Sequence, residues 1–310
     1  MTDPGTNGRG KSPRPPADVL SEWELRPVNY LGGTRNQNWL VLAGQRQLVL
    51  RGYSSEPLAD PSYEVAVARR LASLGWPVAE VVREPTEFRG RLWSLVTHRP
   101  GRSRVREDPA ERRARGRILA EFHRTTSLIS DVGQRRGFAR ADELINDPEL
   151  TVLLTEYERV CPAEGHLLRW HLDWCRARFG SLSLSKLPVL VVHSDFAPWN
   201  LLYDDDGVLS GVLDLDGTHL NFRIADFALA WRGDEDEVIE GYDEVSPLSE
   251  LEWEMLLPTY WAWLFLGVKE SLRAILASGS TGVHFEWQAK HLSKRSKLIE
   301  QVAPTYPGLA

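Results

Sequence analysis

Apolar positions along the chain change rhythm once. Up to about residue 97 they form short runs rich in Val, Leu, Tyr and Trp, broken by Gly, Pro and Asn, which is the pattern of strands and turns. Arg26–Leu31 leads into Gly32-Gly33-Thr34-Arg35-Asn36-Gln37-Asn38, followed by Trp39–Leu42, a turn at Gly44, and Gln47–Arg51. The order is strand, glycine loop, strand, hairpin, strand, with the strand-like pattern beginning near Leu20. Pro61–Gly75 breaks it with Val65, Ala68, Leu71 and Ala72 at helical spacing, stopped by Gly75 and Pro77. Val78–Val82 and Arg91–Val96 predict two further strands, and Thr97–Arg102 reads as a hinge.

Helical periodicity dominates beyond the hinge. Asp108-Pro109 is a strong helix start, Asp as cap and Pro at the first helical position. That helix carries Ile118, Leu119, Phe122 and His123, and the shared face of Leu119 and His123 predicts a buried, satisfied histidine. Residues 147–178 predict a helix pair; Ile224–Trp231, Leu251–Leu276 and Phe285–Val302 predict further helices. One β-rich insertion interrupts them. Val189–Val192 and Leu201–Tyr203 flank a polar loop with His193, Asp195 and Asn200; after a turn at Asp204–Gly207, Val208–Leu213 runs into Asp214 and Asp216. Three units follow: a disordered Gly-, Pro- and Arg-rich tail (1–18), a small β-rich lobe (19–99) and a larger, mainly helical lobe (100–310), together an α+β fold.

Composition narrows the function classes. The 310 residues can bury a sizeable core, and 42% hydrophobic with 26% charged residues is a soluble globular balance. A net charge of −6 argues against a dedicated nucleic-acid binder. The two cysteines, Cys161 and Cys175, lack metal-type spacing and suit a reducing cytoplasm. The first residues carry no apolar core of a secretory signal, and the most apolar window, Tyr260–Val268, is too short to span a bilayer, so no membrane partner is expected.

Polar residues at strand ends and in loops can be aimed at a ligand. An Asp, an Asn five residues later and an Asp closing the next strand pair suit phosphoryl transfer: one carboxylate orients a hydroxyl, while the amide and second carboxylate hold Mg²⁺. An ordinary hairpin would also place Asp and Asn in such turns. Upstream partners weigh against it. Gly32 and Gly33 let backbone amides approach phosphate, Arg51 ends an apolar strand, and Glu64 sits in the first turn of the next helix, in reach of a basic neighbour.

This ordered set, with HSDFAPWN at 193–200, DLD at 214–216 and ADFALA at 225–230, resembles the aminoglycoside phosphotransferase and choline kinase-like family. The resemblance covers residues 25–235 in motif order and implies a bilobal protein-kinase-like fold. It also implies an ATP- or GTP-dependent, Mg²⁺-dependent kinase acting on a small-molecule hydroxyl, as a monomer or homodimer. Carried over, Asp195 would be the catalytic base, with Asn200 and Asp214 as metal ligands. His193 would brace the loop, Asp226 would tie the following helix to it, and Asp216 would reach a second metal or hydrogen-bond the loop. Gly32, Gly33, Thr34, Arg51, Glu64 and Thr97 would form the nucleotide side. Two departures stand out. Ser194 replaces a common glycine, and Arg51 replaces the usual lysine, keeping the charge with a different geometry.

The acceptor is less legible. Family members phosphorylate antibiotics, choline, homoserine and related metabolites. The acidic run Asp234–Glu237 with Glu240, Asp243 and Glu244 reads either as a solvated loop or as an attractor for a cationic acceptor. Trp199 and Trp231, with Asp234 and Glu235, are therefore candidate acceptor-side residues. The Gly33-Thr34 loop with Asn36 and Asn38 also resembles the homoserine kinase-like branch, which needs a cation for the substrate carboxylate. A non-catalytic nucleotide-binding scaffold is the rival that Arg51 supports. A protein kinase is disfavoured, because Asp214 and Asp226 stand only twelve residues apart (226 − 214), too few for an activation segment.

Overall fold

The computed structural model describes residues 14–33, 35–54, 60–104, 108–279, 283–294, 296–300 and 303–304. A short helix α1 (Ala17–Glu22) precedes β1 (Leu25–Gly32), β2 (Gln37–Ala43) and β3 (Arg46–Gly52); α2 (Pro61–Ser73) leads to β4 (Val81–Phe88) and β5 (Arg91–Thr97). The five strands form one antiparallel sheet in the order β1-β2-β3-β5-β4. Alternation of inward apolar residues gives this lobe its own core of Trp39, Val41, Leu48, Leu50, Trp93 and Leu95. Val19 of α1 is fully buried against it. Helix therefore replaces both the end of the expected tail at Ala17 and Asp18 and the strand-like start expected at Leu20, because Val19 finds an apolar seat. Residues 1–13 of that tail lie outside the described residues.

Val78 is not part of β4, contrary to the sequence reading: it makes a single parallel bridge to Val212, and Pro77 accepts a hydrogen bond from the Val212 amide. The segment before β4 is thus bonded to the larger lobe. The connector after β5 does the same. β6 (Arg102–Ser103) pairs with β8, Arg99 donates to the Ser210 carbonyl, and Ser210 donates to the Pro100 carbonyl.

The second lobe follows the helical pattern. Asp108 caps α3 (Pro109–Thr126) by accepting from the Glu111 amide, with Pro109 at the first position. α4 (Ala141–Ile145), α5 (Pro148–Val160) and α6 (Pro162–Ser181) pack with the long α9 (Glu250–Ser278) around a core containing Leu119, Phe122, Leu172, Trp231, Trp261 and Phe265. The segment expected as one helix over Phe285–Val302 is shorter, α10 (Val283–Leu292) followed by turns.

Pairing of the inserted strands is not local. β7 (Val189–Val192) pairs with β10 (His219–Phe222), whereas β8 (Leu201–Tyr203) pairs with β9 (Leu209–Val212). The loop between β7 and β8 therefore bridges two small sheets and is not the turn of a hairpin. α7 (Phe227–Ala230) follows β10 through a 3₁₀ turn at Arg223–Asp226.

From Asp236 to Asp243 the acidic run is helical, with Asp234 and Glu235 immediately before it and Glu244 just after, which corrects its reading as a solvated loop. In α8 (Asp236–Asp243), Val238, Ile239 and Tyr242 are buried, and its backbone touches that of α3. A Cβ on Gly116 would stand 1.9 Å from the Val238 carbonyl oxygen, and one on Gly241 2.0 Å from that of Arg113. Arg113 pairs with Glu240 and Glu244, Arg117 with Glu244, and Arg112 with Glu237.

Candidate active site

One cavity of about 1270 Å³ separates the lobes. Ligand pockets commonly hold roughly 300–1,000 Å³, so it has room for two ligands side by side. Its N-terminal side is lined by Gly32, Gly33, Val49, Arg51, Val96 and Thr97, and its floor by Asp195, Asn200, Asp214 and Asp216. The far wall includes Phe138, Leu144, Leu229, Thr259, Trp263 and Leu266. Thr34 lies outside the described residues.

The glycine loop is fixed by its own backbone. Gly33 has φ 131°, and a Cβ there would sit 1.9 Å from the Asn36 carbonyl oxygen. That turn delivers Asn36, whose Nδ2 donates to Asp216 at 2.7 Å while its Oδ1 accepts from the Ser54 amide. Asn36 is 8% exposed and ties the glycine loop to the other lobe across 180 residues of sequence. The sequence reading noticed it only as part of a loop pattern.

Arg51 and Glu64 meet as expected. Arg51 Nη2 lies 3.1 Å from Glu64, 3.7 Å from Asp216 and 3.9 Å from Asp214, and Nη1 donates to Asn38 at 3.5 Å. Burial works against the Arg51 charge, but Glu64 and Asp216 more than offset it and raise the guanidinium pKa. Burial raises Glu64, with Arg51 opposing. Among the described residues Arg51 Nε has no hydrogen-bond acceptor, which leaves a buried donor at the cavity wall for an anion.

Asp195 is held from one side only. Its Oδ2 accepts from Asn200 Nδ2 at 2.9 Å and from Trp199 Nε1 at 3.4 Å, while Oδ1 is buried with no partner among the described residues. Burial raises its pKa, against the lowering influence of His193, Asn200, Trp199 and Arg232. The loop is braced by Asp226, 1% exposed, which accepts from the amides of His193 (2.7 Å) and Ser194 and pairs with His123 Nε2 at 2.9 Å. His123 Nδ1 completes its bonding with the Tyr242 hydroxyl at 2.9 Å. The histidine is buried and satisfied, as expected.

The bond from the Ser194 amide to Asp226 also bears on the serine in HSDF. Ser194 has φ 71°, a left-handed conformation that favours glycine. Its hydroxyl contacts His219 Nδ1 at 3.2 Å, and a Cβ on Gly217 would approach its own Cβ to 3.2 Å. Gly217 makes room for the serine.

Asp214 also has a left-handed backbone, φ 62° and ψ 60°. Its carboxyl is pushed upward by desolvation in the cleft and by the neighbouring Asp216, although 45% of the side chain remains open to solvent. Burial would raise Asp216 too, but the bond from Asp214 and the charges of Arg51 and Arg135 bring it down. Arg135, which sequence reading missed, donates from Nη1 to the carbonyls of Asp216 (2.7 Å) and Thr218 (3.1 Å), fixing the segment after Asp214. Among the described residues no cluster of three or more His, Cys, Asp or Glu forms a metal cage. Asn200 and the two Asp residues instead make a sparse all-oxygen set, the kind a hard cation completes with phosphate and water.

Several candidate acceptor residues are placed elsewhere. Trp231 is fully buried against Tyr260 and donates to Asp236, so it packs the core and does not line the cavity. Glu235 is paired with Arg115 at 2.6 Å and Asp234 with Lys294 at 2.7 Å. Both line a smaller cavity of about 390 Å³ with Trp199, which is half exposed under the Arg232 guanidinium. The neutralising arginines on α3 and Lys294 lie far from the acidic run in sequence, so the run taken by itself looks free to attract a cation. Thr97 closes β5 with its amide and hydroxyl both bonded to Glu80, at the cavity edge.

Residues 25–254 match the model of the phosphotransferase enzyme family (APH). The chain belongs to this family. The family's phosphotransferase chemistry makes the protein an enzyme whose cleft joins a glycine loop to the Asp195 loop. A homoserine kinase of Zymomonas mobilis is 25% identical over 246 residues, covering 71% of this chain and 72% of that protein. Among solved structures, aminoglycoside phosphotransferase APH(4)-Ia in ternary complex with ADP and hygromycin B superposes with TM-score 0.66 at 17% identity over 93% of this chain and 98% of that one. A microcompartment-associated aminopropanol kinase gives 0.64 at 17% identity over 89% and 93%. Amicoumacin kinase hAmiN, complexed with AMP-PNP, Ca²⁺ and Ami, gives 0.65 at 16% over 91% and 90%. These likenesses bear out the expected α+β, protein-kinase-like architecture. No helix among the described residues is long and apolar enough to cross a membrane.

Proposed function

We propose that this protein is an ATP-dependent small-molecule kinase that transfers the γ-phosphoryl group to an acceptor hydroxyl, with Asp195 as the base. One observation carries the reading: both donors to Asp195 act on Oδ2, and the buried Oδ1 is left for the acceptor's O–H. In the transfer the acceptor oxygen bonds phosphorus, the β–γ bridging P–O bond breaks, and the acceptor proton passes to Asp195 Oδ1. The nucleotides bound to the solved relatives favour ATP.

Arg51 offers its charge and its unpaired Nε to the phosphates and is held in place by Glu64 through Nη2. Gly32 and Gly33 let the loop backbone approach the same phosphates. Asn200 and Asp214 would hold Mg²⁺, which supplies charge neutralisation on the phosphates when bound. Asp216 accepts Asn36 and sits beside Arg51, which favours lobe fastening over a second metal site. His193 donates from its Nε2 to the Leu213 carbonyl at 2.9 Å, so it braces the strand end beside Asp214.

Melting with AMP-PNP tests the nucleotide side. A few degrees of stabilisation are expected only when AMP-PNP and Mg²⁺ are both present; no shift with both together would overturn the reading. The same assay reads Arg51. Arg51→Lys keeps the charge but loses the fork, so the protein should fold and bind AMP-PNP about tenfold more weakly. Arg51→Met strands the buried Glu64 carboxylate and should cost about 3–5 kcal/mol of stability.

A further inference from the structure

One face of α9 makes up much of the far wall of the cavity. Thr259, Trp263, Leu266, Glu270 and Arg273 line it at successive spacings of 4, 3, 4 and 3 residues along α9. At about 1.5 Å per residue they span about 21 Å. Burial grades along the stripe: Thr259 is 1% exposed, Leu266 41%, and the Arg273 side chain 41%. An apolar residue as open as Leu266, beside the half-buried Trp263 and sharing the cavity lining with Phe138 and Leu144, marks a wall built to cover an apolar body.

Charge on this side of the cavity is already spent. Among the described lining residues beyond the Asp195 floor, the carboxylate is Glu270, paired with Arg273 at 2.6 Å. Arg273 is in turn held by Glu149. Of the acids that the sequence offered as attractors, Asp234, Glu235, Glu237, Glu240 and Glu244 are paired with a lysine or arginine, while Asp236 accepts from Trp231 and Asp243 from the Leu248 amide. A polycationic acceptor along this face of α9 would meet in Glu270 a carboxylate already paired, and an acceptor carboxylate would meet in Arg273 a cation already held by two acids.

Neutral polar groups leave one vacancy. Asn221 bonds Ala141, Phe222 and His219; His219 bonds Ser194, Gly217 and Asn221. Thr259 Oγ1 is buried and has no hydrogen-bond partner among the described residues. A threonine in a helix usually returns its hydroxyl to a carbonyl in the preceding turn, so an orphan at a cavity wall is a hydrogen bond held for something else.

From these observations we infer that the phosphoryl acceptor is an uncharged, largely apolar alcohol lying along this face of α9, with one of its polar atoms hydrogen-bonded to Thr259. The inference rests on the assignment of the Asp195 loop as the transfer site. In the test, equilibrium binding of four probes is measured on the full chain with AMP-PNP and Mg²⁺: octane-1,2-diol, 4-phenylbutane-1,2-diol, hygromycin B and L-homoserine. Both diols are expected to bind at least tenfold more tightly than the two charged probes. Thr259→Val should weaken diol binding about five- to tenfold, and Thr259→Ser should restore it. Leu266→Asp, on the exposed part of the stripe, should weaken the diols and strengthen hygromycin B. Tighter binding of either charged probe, no binding of the diols, or diol binding indifferent to Thr259→Val overturns the inference. Stabilisation of the unsubstituted protein by AMP-PNP and Mg²⁺ reports the transfer site separately. Its absence sinks that assignment, whereas its presence without diol binding sinks only the acceptor class.

Discussion

Asparagine at position 195 is expected to lower kcat for phosphoryl transfer about 10²–10⁴-fold, the usual contribution of a positioned general base. The substitution keeps the shape of the side chain, and Oδ2 would keep its two donors if the amide oxygen takes that place. What is lost is the proton acceptor at Oδ1. Burial already disfavours the Asp195 charge, so removing that charge should leave the melting temperature unchanged or slightly higher. The pH profile separates this role from a structural one. A base works deprotonated, and its pKa is raised, so the wild-type rate should fall as pH drops through that raised value. The acid limb should vanish in Asp195→Asn. Full activity in this variant would show that the proton leaves by another route.

The second large effect is on the fold. Asp226→Ala should cost about 3–5 kcal/mol, because it strands two buried amides and a buried histidine at once. For a protein of this size, that corresponds to a melting temperature lower by roughly 10 °C. Burial would raise the Asp226 pKa, but His123, then His193, bring it below the ordinary range. Its stabilisation is therefore complete above the unfolded carboxylate pKa of about 3.9 and is lost as pH falls through the lower folded value. Urea titrations of both proteins at pH 7 and pH 3 would show the gap between them narrowing in acid. An Asp226→Ala protein as stable as the parent at pH 7 would remove Asp226 from its bracing role.

Local signals made much of this legible. Asp108-Pro109 and the alternation in β2 and β3 depend on near neighbours, and the structure places those elements within a residue or two of the expected ends. The order of Arg51, Glu64, Asp195, Asn200, Asp214 and Asp226 was enough to gather them at one cleft and its support. What escaped was long-range. The strand partner of β7 is β10 rather than the nearer β8, and apolar runs of similar length do not specify which will pair. Asn36 gains its meaning from Asp216, and Arg135 from two backbone carbonyls, neither of which a pattern of side chains reveals. The acidic run was misread for the same reason: its neutralising arginines lie more than a hundred residues upstream.

The contact between α3 and α8 has an outer and an inner layer that respond differently to ionic strength. The outer pairs of Arg113 and Arg117 with Glu240 and Glu244 are largely open to solvent, so dissolved salt screens them and their contribution fades. The inner layer does not depend on dilute conditions. Arg115 and Glu235 are 3% and 14% exposed, and Gly116 and Gly241 bring backbone against backbone with no charge involved. Concentrated salt would strip the visible ion pairs and leave the helices docked. Because His123 reaches Asp226 from α3, the loop carrying Asp195 would keep its geometry in brine as in dilute buffer.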